Sequence, residues 1–289
     1  MESDFREARV TVVGLGLMGG SLAAALSSAN ACRQVVGVAR RASTVATARA
    51  LRFIHWGTTD LREGIQDADM VVLATPVGDI LQRIAEIGPM LKPGCVLIDV
   101  GSTKGAICRA MEALPAHVQP LGGHPMCGKE SSGLTMAEPS LYRDRVFVLC
   151  PLERTSSKAM RMAESLVDAV GARALVLDPD RHDRLVATIS HLPYALAVTL
   201  VAAAEALSED DPLAWRLAAG GFRDTSRVAA GSVTMMMDIF ATNREAILET
   251  LHQARDQLDR LTTLLESDDE ASLRAYLEAA RNRRMEVTG

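Results

Sequence analysis

The stretch Arg9-Val-Thr-Val-Val-Gly14-Leu-Gly16-Leu17-Met18-Gly19-Gly20-Ser21-Leu22 constrains the fold most, because an apolar β-type run feeds into a glycine-rich turn and then an Ala/Leu helix. This is the dinucleotide fingerprint in its strand-turn-helix setting. Gly14 permits the tight turn, Gly16 lets the backbone approach a pyrophosphate, and Gly19 lets the helix pack closely on the strand. The first helical residues, Leu17 and Met18, then offer free N–H groups and the positive end of the helix dipole to the phosphates. The alternative is a glycine-rich turn without a ligand.

The next strand addresses which dinucleotide is bound. An acidic residue about 20 positions beyond the last glycine would bind a ribose 2′-hydroxyl. Here the strand reads Gln34-Val-Val-Gly-Val-Ala39-Arg40-Arg41-Ala-Ser43, so Ala39 or Arg40 stands at the acid position. Two guanidiniums with their forked donors, helped by the Ser43 hydroxyl, suit a 2′-phosphate, and the loop predicts NADP, with NAD possible. The bland alternative makes Arg40 and Arg41 a solvated surface pair.

Short β-branched runs alternate with helical patterns up to about Pro179, as in a parallel sheet covered by helices. Strands are expected at Val10–Val13, Val35–Val38, Met70–Ala74, Cys95–Val100, Val118–Leu121, Val146–Cys150 and Ala174–Leu177. Ligands bind beyond the carboxyl ends of such strands, which directs attention to Thr75-Pro76, Asp99 to Lys104, and Gly122 to Met126. After Asp178-Pro179-Asp180 the pattern becomes helical throughout. The expected fold is an α/β Rossmann-type domain, residues 1–178, followed by an all-α domain, residues 179–289.

Other features bound the function class. The formal net charge of −5 leaves no electrostatic footprint for nucleic acid. Five cysteines, an odd number without metal-type spacing, read as reduced thiols, and no metal site is expected. The charged amino terminus lacks a signal-peptide core, so a cytoplasmic location is expected. Leu185 to Leu207 is apolar but interrupted by His191, Pro193 and Glu205, which reads as a buried helix rather than a membrane span. Ile247, Leu251, Leu258, Leu261 and Leu265 form one apolar stripe that must be covered. A homodimer would cover it; packing within the chain is the alternative.

Five further blocks carry a specific resemblance: Asp99-Val-Gly-Ser102-Thr-Lys104-Gly, Gly122-Gly-His124-Pro-Met-Cys-Gly128-Lys-Glu130, Asp178-x-x-x-His182-Asp183, Ser190-His191-Leu192-Pro193, and Gly221-Phe222-Arg223-Asp224-Thr225-Ser226-Arg227. In this order, over most of the chain, they resemble the prephenate/arogenate dehydrogenase family of tyrosine biosynthesis. The resemblance implies a nucleotide-binding domain joined to a helical dimerisation domain. It also implies oxidative decarboxylation of a cyclohexadienol, from prephenate to 4-hydroxyphenylpyruvate or from arogenate to tyrosine.

By the same resemblance His124 is the base on the substrate hydroxyl, against the alternative of a loop cap before Pro125, and Ser102 bridges histidine, substrate and nicotinamide. Arg227 binds a substrate carboxylate, with Arg223 as the alternative. His182 and His191 shape the pocket or stabilise the domain interface, and His191 can instead be a satisfied core histidine. Glu130 matches an acidic position near the pocket in some members. Tyr194 replaces a histidine found in several members, which bears on recognition of the substrate side chain. The arginine loop and the segment around Arg227 look most like NADP-using members that prefer arogenate. No appended regulatory domain is expected.

Two rival readings share the opening fingerprint. A β-hydroxyacid-type dehydrogenase needs a lysine in its helical domain, whereas Lys92, Lys104, Lys129 and Lys158 all precede residue 179. A non-catalytic NADP-sensing regulator would have no use for the clustered Ser102, His124, His182, His191 and Arg227.

Overall fold

The computed structural model describes residues 5–129 and 131–288. An eight-stranded sheet organises the first part: β1 Arg9–Val13, β2 Gln34–Val38, β3 Trp56–Thr58, β4 Met70–Leu73, β5 Val96–Asp99, β6 Gln119–Pro125, β7 Val146–Pro151 and β8 Arg173–Val176. Their order is β3-β2-β1-β4-β5-β6-β7-β8. The strand order reverses between β1 and β4, so a crevice opens there, where ligands of doubly wound folds bind.

Three sequence expectations need correction. The sheet is mixed, because β6 and β7 run antiparallel, pairing His124 with Val148, before β7 and β8 resume parallel pairing. β3 is an additional strand; its three half-buried residues pair on β2 and are too short to show a period. β6 continues through His124 and Pro125, because the Gly122-Gly123 pair that resembles a turn lies flat in the ladder.

Helices α1 Leu17–Ser28, α2 Ala42–Ala50, α3 Leu61–Ile65, α4 Val77–Ile87, α5 Gly105–Glu112 and α6 Ser157–Ala169 flank the sheet. Alternate strand residues supply two cores: Val10, Val12, Val96 and Ile98 pack with Leu22, Leu26 and Leu166, whereas Val13, Val71, Leu73 and Leu97 pack with Ile80 and Ile84. Each fully buried aliphatic side chain contributes roughly 1.5–3 kcal/mol. Arg154 holds the end of α5, donating to the carbonyls of Met111, Leu114, Pro115 and Val118 at 2.7–3.4 Å. Met111 lies in the last turn of α5, and the other three carbonyls belong to the segment that leads from it to β6.

Beyond Asp178, whose carboxylate caps the next helix through the Arg181 N–H, the chain runs 32 residues as α7 Pro179–Val186, a π-helical turn Ala187–His191, and α8 Leu192–Asp210. Pro193 has no N–H to give the Ile189 carbonyl, and the widened turn directly precedes it. This helix is long and apolar enough to cross a membrane by length and composition alone. The expectation of a buried helix is not met within one chain: of α8 only Ala197 is buried, and Ile189 and Leu207 are 66% and 60% exposed. Helices α9 Leu213–Leu217, α10 Gly220–Ser226 and α11 Val233–Thr242 follow, with the 3-10 turn Arg227–Ala230 between the last two.

The chain forms two compact units, one to Arg244 and one from Glu245. The second is built from α12 Arg244–Glu266 and α13 Glu270–Thr288, joined by the Arg260 guanidinium 5.3 Å from the Tyr276 ring centre. On the predicted stripe Ile247 is buried, whereas Leu258 and Leu265 are more than half exposed.

Candidate active site

A cavity of about 400 Å³ lies at the carboxyl ends of β1, β2 and β4. Gly14, Gly16, Arg40, Arg41, Thr75 and Pro76 line it, together with Thr44, Thr59, Asp79 and Arg83. Gly14 has φ +99°, and a Cβ there would stand 2.6 Å from the Ala74 carbonyl; a Cβ on Gly19 would collide with the Gly14 carbonyl. The strand and helix therefore approach as closely as glycine allows. A Cβ on Gly16 would meet nothing within 4 Å, and no side chain caps α1, so open space stands before the N–H groups that begin this helix with Leu17 and Met18. The Thr75 hydroxyl is buried without a hydrogen-bond partner. These residues fit a dinucleotide: the helix start for its phosphates, the orphaned hydroxyl for a polar atom, and two guanidiniums beside β2. Ser43 is exposed on the first turn of α2, and it is the neighbouring Thr44 that faces the cavity.

The histidines form a second, buried cluster. His124 Nδ1 lies 2.8 Å from His182 Nε2, and His182 Nδ1 lies 2.8 Å from Asp183 Oδ1. The Asp183 carboxylate also accepts the N–H groups of Lys104 and Gly105, at 2.7 and 2.8 Å, and so caps α5 from another helix. Burial raises the Asp183 pKa, but its hydrogen bonds from His182, Lys104 and Gly105 outweigh that and hold it below the usual carboxylate range. An ionised Asp183 only accepts, so His182 donates Nδ1–H to it; a His182 ring carrying that single proton accepts at Nε2 from His124 Nδ1–H. That leaves a lone pair on His124 Nε2. Burial, reinforced by His182, Lys104 and His191, keeps the His124 pKa well below 6.5.

His191, at the end of the π turn, is 1% exposed and 3.3 Å from Asn243 Nδ2, which also donates to the Asp183 carbonyl at 2.8 Å. Burial lowers its pKa to about 4. Ser102 is half-buried in the loop after β5, between Gly101, whose N–H is held by Asp99 at 2.7 Å, and Lys104. Tyr194 packs edge-on against Phe240 with ring centres 6.1 Å apart. Arg227 opens the 3-10 turn after α10 and is exposed, as is Arg223. Glu130 lies outside the described residues. Residues 22–176 match the family model of the prephenate dehydrogenase nucleotide-binding domain, and residues 178–279 match that of its dimerization domain.

The chain belongs to the prephenate dehydrogenase family. The prephenate dehydrogenase of Bacillus subtilis is 31% identical over 277 residues, covering 95% of this chain and 75% of that protein. The crystal structure of Synechocystis arogenate dehydrogenase superposes with TM-score 0.84 at 32% identity, covering 96% of this chain and 99% of the other. Aquifex aeolicus prephenate dehydrogenase, solved with hydroxyphenyl propionate and NAD+, superposes with TM-score 0.90 at 28% identity, covering 97% and 98% of the two chains.

Sequence reasoning missed part of the machinery. Asp99, Lys104 and Asp183 stand inside the quoted motifs, but nothing in the spacing shows that Lys104 is fully buried or that Asp183 orients His182. Asn243 and Arg83 carry no sequence signal, because only the fold brings them to their places.

Proposed function

We propose that this chain is an NADP-using dehydrogenase that oxidatively decarboxylates prephenate or arogenate, acting in the cytoplasm as a homodimer. The observation that carries this reading is the buried, hydrogen-bonded Asp183–His182–His124 chain within a fold and motif set of the prephenate dehydrogenase family. A bound nicotinamide supplies the hydride acceptor.

His124 Nε2 takes the proton of the ring C4 hydroxyl as the hydride leaves C4, so the carbonyl forms without an oxyanion having to build up. The C1 carboxylate is then lost as carbon dioxide, its bonding electron pair passes through the ring to the C4 oxygen, and that oxygen takes the proton back from His124 as the aromatic phenol forms. His182 and Asp183 hold the His124 ring and its tautomer, as the orienting carboxylate does in other acid–base sites. Ser102 hydrogen-bonds the same hydroxyl. Arg227 pairs with a substrate carboxylate, for which a permanent, forked cation is suited. His191 and Tyr194 complete the pocket, and Glu130 is assigned to substrate binding by family resemblance alone.

Arg40 and Arg41, both lining the nucleotide cavity with no carboxylate at the end of β2, support the choice of NADP. The exposed apolar side chains of α8 and the stripe on α12 support a second copy as their cover. The five free cysteines fit a reducing compartment.

Initial rates of reduced-nicotinamide formation with prephenate or arogenate, each with NADP or NAD, test the reading. Turnover with a cyclohexadienyl substrate and NADP is expected; NADP binding without turnover in any combination would overturn it in favour of a cofactor sensor.

A further inference from the structure

We propose that the buried Asp99–Lys104 ion pair is a positioning device, holding the main chain next to Ser102 and next to His124 in register. The inference rests on the reading of His124 as that base.

Both side chains are wholly buried, and the Lys104 ammonium donates to Asp99 Oδ2. Such a pair gives up hydration at both ions, and apolar side chains of similar volume would often stabilise the fold as well. Its hydrogen bonds indicate what it does instead. Asp99 Oδ2 also accepts the N–H of Gly101, at 2.7 Å, and Oδ1 accepts the N–H of Gly123, at 3.0 Å. Gly101 directly precedes Ser102, and Gly123 directly precedes His124. One carboxylate therefore grips both segments.

It does so where the sheet cannot. The β5–β6 ladder ends at the pair Ile98 and Leu121, while β6 continues to Pro125 along β7 alone. The Asp99 side chain takes over the donor that the ladder has released. Lys104 closes the circuit, since its own N–H binds Asp183, which orients His182 against His124.

The surroundings are shaped to the pair. A Cβ on Gly101 would lie 2.9 Å from Asp99 Oδ2, one on Gly122 would lie 3.3 Å from Lys104 Cδ, and one on Gly105 would lie 3.0 Å from Asp183 Oδ2. The glycines of the two motifs thus leave the space that the carboxylates and the lysine stem fill.

The charges of His182 on α7, Lys104 at the start of α5 and His191 of the π turn disfavour protonation of His124, while Asp183 binds His182 and Asp99 binds the ammonium. Removing the ammonium makes protonation of His124 easier. Removing the carboxylate charge loosens the main chain and leaves the ammonium in place.

The test compares Lys104→Gln, Asp99→Asn and the charge-neutral double variant with the wild-type enzyme. It uses pH profiles of kcat and KM together with histidine nitrogen NMR titrations and glycine amide NMR signals on the ligand-free protein. Lys104→Gln and the double variant are expected to lower kcat, and to raise the pH at which His124 titrates together with the acid limb of kcat/KM. Asp99→Asn is expected to lower kcat about 10- to 100-fold, with KM changed less than kcat, and without raising the His124 titration. The double variant keeps the inference testable if Lys104→Gln alone does not fold. Intact kcat in a folded Lys104→Gln or Asp99→Asn variant, or NMR signals of the Gly101 and Gly123 amides that do not move in them, would overturn the inference. An inert wild-type enzyme would overturn instead the reading on which it rests, and the NMR measurements, needing no turnover, separate the two failures.

Discussion

The sheet region and the long α7–α8 helix treat their apolar residues in opposite ways. In the sheet, strands β1, β2, β4 and β5 are buried on both faces, as parallel strands covered by helices must be. Along α8 a chain of comparable apolarity leaves Leu196, Val198 and Leu207 more than 40% exposed. The first region completes its core within one chain, whereas the second has an apolar surface that only another surface can complete. The buried histidines stand where the two meet, His124 on β6 and His182 and His191 on the helix.

That placement gives the largest expected effect. His124→Asn keeps a side chain able to hydrogen-bond His182 but cannot accept the hydroxyl proton, so kcat is expected to fall about 10²–10⁴-fold with NADP binding retained. Steady-state rates and a cofactor titration check this. Loss of NADP binding in a folded variant would mean that the two regions are coupled through more than chemistry.

Stability sharpens the contrast between the regions next. Ile84→Ala in α4, where the side chain is 2% exposed, is expected to cost about 2–5 kcal/mol at any protein concentration. Leu207→Ala in α8, 60% exposed within one chain, is expected to change melting little at high concentration and to make it concentration-dependent, because it weakens assembly rather than the core. Denaturant melts and sedimentation at two concentrations distinguish these outcomes, and a concentration-independent loss at Leu207 would remove the contrast.

The pH dependence follows from the buried histidines. An unfolded histidine titrates near 6.5, whereas burial takes His191 down to about 4 and His124 well below 6.5. A depressed histidine contributes stability above pH 6.5 that is lost as the pH falls, because the unfolded chain takes up the proton first. His191 alone should cost roughly 2 kcal/mol by pH 5, read as a falling melting temperature that a folded His191→Asn variant flattens.

The same contrast separates what the sequence makes legible from what it hides. The fingerprint from Arg9 to Leu22, the strand-helix alternation and the change of pattern near Asp178 follow from local propensity and period, and the fold realises the strands they mark. The turn-like Gly122-Gly123 pair misleads about the end of β6, because the second glycine is required by the closeness of the Asp99 carbonyl rather than by a bend. The apolar helix misleads about burial, since hydropathy cannot distinguish a core from an interface. The motifs mark Asp99, Lys104 and Asp183 without their partners, because those hydrogen bonds join residues up to 79 positions apart. Asn243 and Arg83 are set by tertiary structure alone.

The smallest expected effect tests the nucleotide cavity, which the sheet region builds without α8. Arg40→Ala or Arg41→Ala removes one guanidinium from the end of β2 while leaving the glycine turn, the start of α1 and Thr75 unchanged. A charged hydrogen bond to a 2′-phosphate contributes on the order of 1.5–3 kcal/mol, so KM for NADP is expected to rise about tenfold or more while KM for NAD stays within about twofold. One arginine of the two should account for most of the effect, since a pair on a solvent-facing loop need not both reach the phosphate. Equal changes for NADP and NAD would assign the two arginines to the ribose or the adenine, which both cofactors share. Thr44 would then be the donor left beside β2, and Arg83 on α4 the only other guanidinium lining the cavity among the described residues.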